Sequence, residues 1–310
     1  MSNISSSANG SRRAILELVA AAILWGFSFV ASRWALAGAD ALFISATRFL
    51  GGFLIALPII LAPRFSESRK LEQLWLAMPA GLFIGASVLL QTYGLVYTQV
   101  SRSGFITCLY IVFVPLLEGP VFGTRLKPIH LFWVLLALVG AAFVCRATAG
   151  AWNRGDFLTV GCALMAAFQI LSLEWASTRI RSSFVFNVYQ ALWAGLLPLV
   201  AFLVLPHHSV SWPLPPLSLA GIAILAVPAT LVAFMLQVRS QRVLSPSVAS
   251  MLFLLESPFA ALFAYLCFSE RLAPEQWFGA ILILAAAAGT IRFSGEKPVA
   301  ALPETTQRVE

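Results

Sequence analysis

Residues 245–272 read SPSVASMLFLLESPFAALFAYLCFSERL, an almost wholly apolar run that carries Glu256 near its middle and Glu270 at its end. A helix of about 20 apolar residues crosses the hydrocarbon core of a bilayer, and this run is long enough. An ionised side chain at the centre of such a helix costs about 2.5–3.5 kcal/mol on insertion scales. The run therefore predicts a membrane helix whose Glu256 faces the inside of a helix bundle.

The whole chain has the composition of this run. Of its 310 residues, 60% are hydrophobic and only 11% are charged, with a mean hydropathy of +0.88. Soluble domains carry about 25% charged residues, so most of this chain must face lipid. Although the net charge is +7, the basic residues lie scattered between apolar runs, which argues against a nucleic-acid partner.

Ten apolar runs have the length of a membrane span, which predicts an all-α integral membrane protein. The predicted spans are 14–36, 40–62, 73–96, 102–123, 128–147, 156–175, 184–206, 217–239, 246–268 and 275–293. Lys and Arg number fourteen on the side that holds the termini and five on the other side. Positive charge favours the cytoplasmic side, so residues 1–13 and 294–310 are predicted as cytoplasmic tails.

Two pairs of sequence motifs predict an internal repeat. TRLKPIHLF at 124–132 aligns with ERLAPEQWF at 270–278, and GFSFVASRWA at 26–35 aligns with AFQILSLEWA at 167–176. The repeats are predicted at 14–147 and 156–293. Because each would hold five helices, an odd number, the second starts on the opposite side of the membrane. Inverted repeats are typical of secondary transporters, which work by alternating access.

Several stretches of the sequence resemble one transporter family. They are AAILWGFSFVASRWAL (21–36), ATRFLGGFLIA (46–56), SRSGFITCLYIVFVPLL (101–117) and LLESPFAALFAYLCFSERLAPEQWFGAILILAAAAG (254–289). In this order they resemble the first, second, fourth, ninth and tenth helices of the EamA-like family of the drug/metabolite transporter superfamily. The resemblance implies ten helices, cytoplasmic termini and movement of small organic metabolites such as amino acids or amines, often outward.

Of three classes of function, transport is favoured. The expected partners are a small-molecule substrate and the lipid bilayer, here the inner membrane of a bacterial cell. An enzyme is not favoured, because no catalytic or ATP-binding motif occurs and the three histidines lie at or beyond span ends. No cofactor or metal is expected. A non-transporting scaffold or partner subunit is the alternative, and a homodimer is one option for assembly.

Polar and aromatic residues within the predicted spans are the candidate substrate-binding residues. In lipid each would leave a polar group unpaired, so each is expected to face the bundle interior. They are Trp25, Arg48, Gln91, Tyr93, Tyr110, Gln169, Tyr189, Gln190 and Glu256. Glu256 is predicted either to bind a substrate cation or a proton, or to hydrogen-bond a neighbouring helix. Pro115 and Pro258 are candidate hinges, because proline removes a backbone donor and kinks a helix.

Overall fold

The computed structural model describes residues 2–123, 128–144, 152–206, 209–271 and 273–293, and these residues form helices. The α-helices are α1 Ser2–Ala35, α2 Ala41–Ile60, α3 Leu71–Leu76, α4 Met78–Tyr97, α5 Val100–Thr107, α6 Tyr110–Phe122, α7 Pro128–Val144, α8 Arg154–Ala176, α9 Ser183–Val204, α10 Pro216–Ile224, α11 Ala233–Gln241, α12 Pro246–Phe253, α13 Glu256–Phe268 and α14 Pro274–Phe293. A 3₁₀ segment covers Pro63–Arg69, and a π-helical segment covers Leu225–Val232. Within the described ranges, the one β feature is an isolated bridge between Ala39 and Val210.

Eight of the predicted spans are confirmed as apolar helices long enough to cross a membrane. They are Gly10–Ala35, Ala41–Ile60, Leu71–Tyr97, Val100–Phe122, Arg154–Ala176, Ser183–Val204, Pro216–Gln241 and Pro246–Phe268. The fifth predicted span corresponds to α7, whose apolar part Leu131–Phe143 is shorter, and the tenth corresponds to α14. Ten spans therefore remain a prediction. Residues 2–13, predicted as a tail, continue α1 as helix, whereas residues 145–151 and 294–310 and the start of the 124–132 motif lie outside the described residues.

Capping side chains set the starts of several helices. Asp40 precedes α2 and accepts a hydrogen bond from the backbone N–H of Phe43 at 2.9 Å. Asn153 and Asp156 form a reciprocal capping box at the start of α8. These side chains satisfy backbone donors that have no partner inside their own helix. The loop sequences therefore specify where the chain enters each span.

Three spans are interrupted near their middle. The fourth is split into α5 and α6 by residues 108–109, and the ninth into α12 and α13 by residues 254–255. The eighth contains the π-helical segment, which includes Pro228. π-helical turns inside α-helices occur often at functional sites, because they release backbone carbonyls from the regular ladder.

Helices of the two halves pack closely on each other. The most extensive pairs are α4 with α8 and α9, α2 with α9, α7 with α14, and α1 with α13, α11 and α10. Glycines allow some of these contacts. A Cβ on Gly26 would lie 2.6 Å from Cβ of Phe259 in α13, and one on Gly85 would lie 2.4 Å from the carbonyl oxygen of Ala194 in α9. Small residues permit this close approach where lipid offers no hydrophobic drive between helices.

Candidate functional site

A central cavity lies where most of the membrane helices meet. Its volume is about 60 Å³. It is lined by Trp25, Ser28, Phe29, Arg48, Ile84, Ser87, Val88, Gln91, Thr107, Tyr110, Ala166, Gln169, Ile170, Phe234, Gln237, Phe253 and Glu256. One water needs at least about 10–15 Å³, so the cavity has room for a few waters. Ligand sites usually measure about 300–1,000 Å³, so the helices must separate before a metabolite fits.

Glu256 begins α13 directly after the break in the ninth span, and its side chain is buried in the cavity wall. Tyr110 begins α6 directly after the break in the fourth span. The Tyr110 hydroxyl donates a hydrogen bond to Oε1 of Glu256 at 3.3 Å. The two helix breaks therefore bring the carboxylate and the phenol together at the cavity.

Arg48 lies in α2 and lines the same cavity, and it is only 2% exposed. Its Nε donates to Oγ1 of Thr230 in the π-helical segment at 3.2 Å, and its guanidinium carbon lies 5.3 Å from the ring centre of Phe49. A guanidinium has five N–H donors. Within the described residues this is the one hydrogen bond that Arg48 makes, so most of its donors are available to a ligand.

Amide side chains form a network beside the cavity. Nε2 of Gln237 donates to Oε1 of Gln169 at 3.0 Å and to Oε1 of Gln241 at 2.8 Å. Gln169 also donates to Gln190 at 3.5 Å. In α4, Nε2 of Gln91 donates to Oγ1 of Thr107 at 3.1 Å. Glutamine amides both donate and accept, so this wall can exchange its own bonds for bonds to a polar substrate.

Aromatic rings form the apolar wall of the cavity. The ring of Trp25 lies 5.0 Å from that of Phe234 and 5.2 Å from that of Phe253. The indole Nε1 of Trp25 donates to the carbonyl of Ala229 at 3.2 Å. That carbonyl belongs to the π-helical segment. The irregular helix thereby fixes the orientation of the Trp25 ring.

The structure brings six of the nine candidate binding residues together in the cavity wall. They are Trp25, Arg48, Gln91, Tyr110, Gln169 and Glu256. Gln190 lies behind the wall, where it is buried and bonded to Gln169. Tyr93 and Tyr189 are partly buried and do not line the cavity. A tyrosine near the middle of a span does not by itself reveal which face of its helix it occupies.

The two candidate hinge prolines occupy different places relative to the helix breaks. Pro258 is the third residue of α13, directly after the break at 254–255. Pro115 is the sixth residue of α6, so the break at 108–109 lies a full turn or more before it. Both remain hinge candidates, and Pro258 is the one adjacent to the interruption.

Sequence reasoning missed several lining residues, including Ser28, Ser87, Thr107 and Gln237. Helical spacing could have identified Ser28 and Ser87 from the sequence. Ser28 follows Trp25 by three residues, and Ser87 precedes Gln91 by four. Residues three and four apart share one face of a helix. Gln237 lies close to the predicted end of its span, where a polar residue needs no special reason.

The cavity offers carbonyl, hydroxyl, amide, carboxylate and guanidinium groups. Over the described residues there is no cluster of three or more His, Cys, Asp or Glu side chains that suits a metal ion. The polar groups instead suit hydrogen bonding and charge pairing with an organic molecule, while the aromatic rings suit its apolar part.

Comparisons with known proteins cover most of the chain. The model of the EamA-like transporter family matches residues 12–146 and 153–292. An uncharacterized transporter from Archaeoglobus fulgidus is 30% identical over 273 residues, which covers 87% of this chain and 83% of that relative. One protein crystal structure has the same fold, with a TM-score of 0.70 at 19% identity, over 89% of this chain and 96% of that one.

Proposed function

The chain belongs to the EamA-like transporter family, and from this membership and the cavity we propose that it is a secondary transporter of small organic metabolites such as amino acids, amines or related compounds. It works by alternating access around the central cavity, and its physiological direction is export. The proposal places the chain in the inner membrane of a bacterial cell, with both termini in the cytoplasm.

The observation that carries this proposal is the match between the cavity and the sequence repeat. Fourteen of the seventeen lining residues fall into seven pairs, separated by 141 residues in three pairs and by 146 in four. The two motif alignments give these same offsets. The pairs are Trp25 with Ala166, Ser28 with Gln169, Phe29 with Ile170, Val88 with Phe234, Gln91 with Gln237, Thr107 with Phe253 and Tyr110 with Glu256. Equivalent contributions from two inverted repeats support a site that both sides of the membrane reach in turn.

Helix geometry gives independent support for the repeat. The breaks at 108–109 and 254–255 are 146 residues apart, and so are the left-handed residues Gly123 and Ser269, which end α6 and α13. The packing pairs also exchange with each other. In the predicted repeat, α1 is equivalent to α8 and α4 to α11, and the α1–α11 packing has its counterpart in the α8–α4 packing. The pairs α2–α9 and α7–α14 each join two equivalent helices.

Two contacts between the fourth and ninth spans suggest how the ends of the cavity are closed. On the predicted outer side, the hydroxyl of Ser101 in α5 donates to Oε2 of Glu270 at 3.0 Å, which we term the outer contact. On the predicted cytoplasmic side, the hydroxyl of Ser247 in α12 donates to Oε2 of Glu118, which we term the inner contact. The two serines are 146 residues apart.

Ion pairs also join spans towards both predicted sides of the membrane. Arg102 forms two hydrogen bonds, of 2.9 and 2.8 Å, to the two carboxylate oxygens of Asp156 near the outer contact. Towards the other end, Arg239 and Ser240 both reach Glu17 in α1, at 3.3 Å each. Side-chain rotation can break polar contacts of this kind, which supports the proposal that each end of the cavity opens in turn.

Flux through purified protein tests the proposal. The protein is reconstituted in proteoliposomes, and uptake of a panel of labelled amino acids, amines and organic acids is compared with that of liposomes without protein. Transport predicts saturable flux for at least one compound, reduced in Glu256→Gln and unchanged in Glu72→Gln, which alters an exposed carboxylate at the start of α3. Absence of flux across the panel would favour a scaffold or partner subunit.

A further inference from the structure

A second cavity, which we term the outer groove, is lined by α13, α14 and the turn that joins them. Its volume is about 400 Å³. The lining consists of Ala261, Leu262 and Tyr265 of α13, Arg271 of the turn and Trp277 of α14. None of these five residues lines the central cavity. The outer groove is therefore a separate site, and its volume lies within the range of about 300–1,000 Å³ that ligand sites usually have.

The side chains of the outer groove are open to the surroundings of the protein. Tyr265 is 53% exposed, Trp277 is 56% exposed and Leu262 is 43% exposed. The α13 residues belong to the apolar helix Pro246–Phe268, which is long enough to cross a membrane. Exposed apolar surface on such a helix is where a membrane protein contacts lipid, so the groove opens sideways towards the bilayer.

Polar and apolar groups follow the same order along the outer groove as in a phospholipid. Tyr265 lies three residues before the end of α13, and Trp277 is the fourth residue of α14, so both lie about one helical turn from the loop that carries Arg271. Tyr and Trp at this depth are typical of the membrane–water interface. Ala261 and Leu262 lie about one turn deeper, at the level of the acyl chains.

The polar groups of the outer groove suit an anion. No hydrogen-bond or ion-pair partner among the described residues reaches the Arg271 guanidinium, the Tyr265 hydroxyl or the Trp277 indole N–H. The guanidinium and the indole can only donate hydrogen bonds, and the hydroxyl can also donate. The groove lining contains no carboxylate. A phosphate group accepts several hydrogen bonds and pairs closely with arginine, so it complements these donors in charge and in bonding.

The predicted repeat indicates that packing does not require the two aromatic residues. At an offset of 146 residues, Tyr265 is equivalent to Gly119 and Trp277 is equivalent to Leu131. Gly119 belongs to α6 and Leu131 to α7, so the first half forms the corresponding helices without an aromatic ring at either position. The interfacial aromatic residues of the second half therefore need a reason other than helix packing.

We propose that the outer groove binds one phospholipid from the leaflet on the predicted outer side. Its phosphate is held by Arg271, Tyr265 and Trp277, and the upper part of one acyl chain lies along Ala261 and Leu262. A free phosphate ion would leave the apolar part of the groove uncovered, and a hydrocarbon chain alone would leave the three donors without acceptors. This bound lipid goes beyond the proposed transport function and does not depend on it.

Native mass spectrometry of the delipidated full chain in detergent tests the proposal. The protein is titrated with dioleoyl phosphatidylglycerol, with dioleoylglycerol, which has the same chains but no phosphate, and with glycerol 3-phosphate, which has the phosphate but no chains. One phosphatidylglycerol is expected to bind at least about tenfold more tightly than either of the other compounds, because hydrogen bonds to a charged group contribute at that level.

Each other occupant of the groove gives a different result. Equal binding of dioleoylglycerol would show an apolar groove without a phosphate site, and equal binding of glycerol 3-phosphate would show an anion site that is not specific for lipid. A protein dimer that excludes the lipid would show that a second copy of the chain covers the groove. Any of these results, or the absence of a one-lipid complex, would overturn the proposal.

Two variants assign the binding to the groove. Arg271→Gln is expected to lower the affinity for phosphatidylglycerol about tenfold and to leave that for dioleoylglycerol unchanged. Trp277→Leu, which introduces the residue of the equivalent position 131, should lower it about threefold through loss of one neutral donor. Arg154→Gln and Trp152→Leu are matched controls, because both residues are exposed on the predicted outer side and do not line the groove. Unchanged affinity in Arg271→Gln, or an equal loss in Arg154→Gln, would refute the assignment.

Discussion

Gly85→Ala provides a sharp test of the packing that forms the cavity. An alanine Cβ at this position would lie 2.4 Å from O, 2.9 Å from Cα and 3.0 Å from C of Ala194 in α9. Ordinary contacts begin near 3.4 Å, so α4 and α9 must separate by about 1 Å. Alanine is the better helix former by about 1 kcal/mol. Overpacking costs about 1–3 kcal/mol, and the upper end applies because backbone atoms cannot rotate away.

The clash should therefore outweigh the helix propensity, and Gly85→Ala is expected to lose about 2 kcal/mol of unfolding free energy. The assay is reversible unfolding by SDS in mixed micelles. Gly51→Ala is the matched control, since its Cβ would meet only Cβ of Ala226, at 3.7 Å. Substrate affinity should also fall in Gly85→Ala, because α4 carries Ser87 and Gln91. Equal stability of the two variants would refute the close packing of α4 on α9.

Three further predictions concern the polar contacts at the ends of the cavity. Asp156→Asn leaves Arg102 without its carboxylate and should cost about 3 kcal/mol of stability, measured by the same unfolding assay; a loss below about 1 kcal/mol would contradict the buried pair. Ser101→Ala breaks the outer contact and should speed labelling of Gln91→Cys from the outer side about tenfold, because a hydrogen bond to a charged group contributes about 1.5–3 kcal/mol. Ser247→Ala should speed labelling from the cytoplasmic side instead, and identical effects of the two serine variants would contradict opposed contacts.

The apolar runs predicted the helices well, because about 20 apolar residues leave a chain few other structures in lipid. All eight confirmed spans begin and end within a few residues of their predicted bounds. The interruptions of the fourth and ninth spans were harder to predict from the sequence. Pro258 lies directly after the break at 254–255. Nothing in the local sequence around Cys108 and Leu109 indicates the other break, and Pro115 lies more than a turn beyond it.

Among the candidate binding residues, the charged side chains predicted a place in the cavity wall better than the aromatic ones. Arg48 and Glu256 reach the cavity because burial elsewhere would leave a charge in lipid. Tyr93 and Tyr189 tolerate either a packed or an interfacial position, so their place in a span did not determine the face they occupy. The contact between Tyr110 and Glu256 joins two residues that are 146 residues apart, which is the offset of the predicted repeat.

Alternating access requires that water and substrate reach the same cavity from either side of the membrane. Gln169→Cys, in a variant without the four native cysteines, is treated with a membrane-impermeant thiol reagent in spheroplasts and in inverted vesicles. Leu54→Cys is the control, because this side chain is 62% exposed on the lipid-facing surface of α2. We expect position 169 to be labelled from both sides and protected by substrate, while position 54 resists the reagent. Labelling of position 169 from one side only, or from neither, would contradict alternating access.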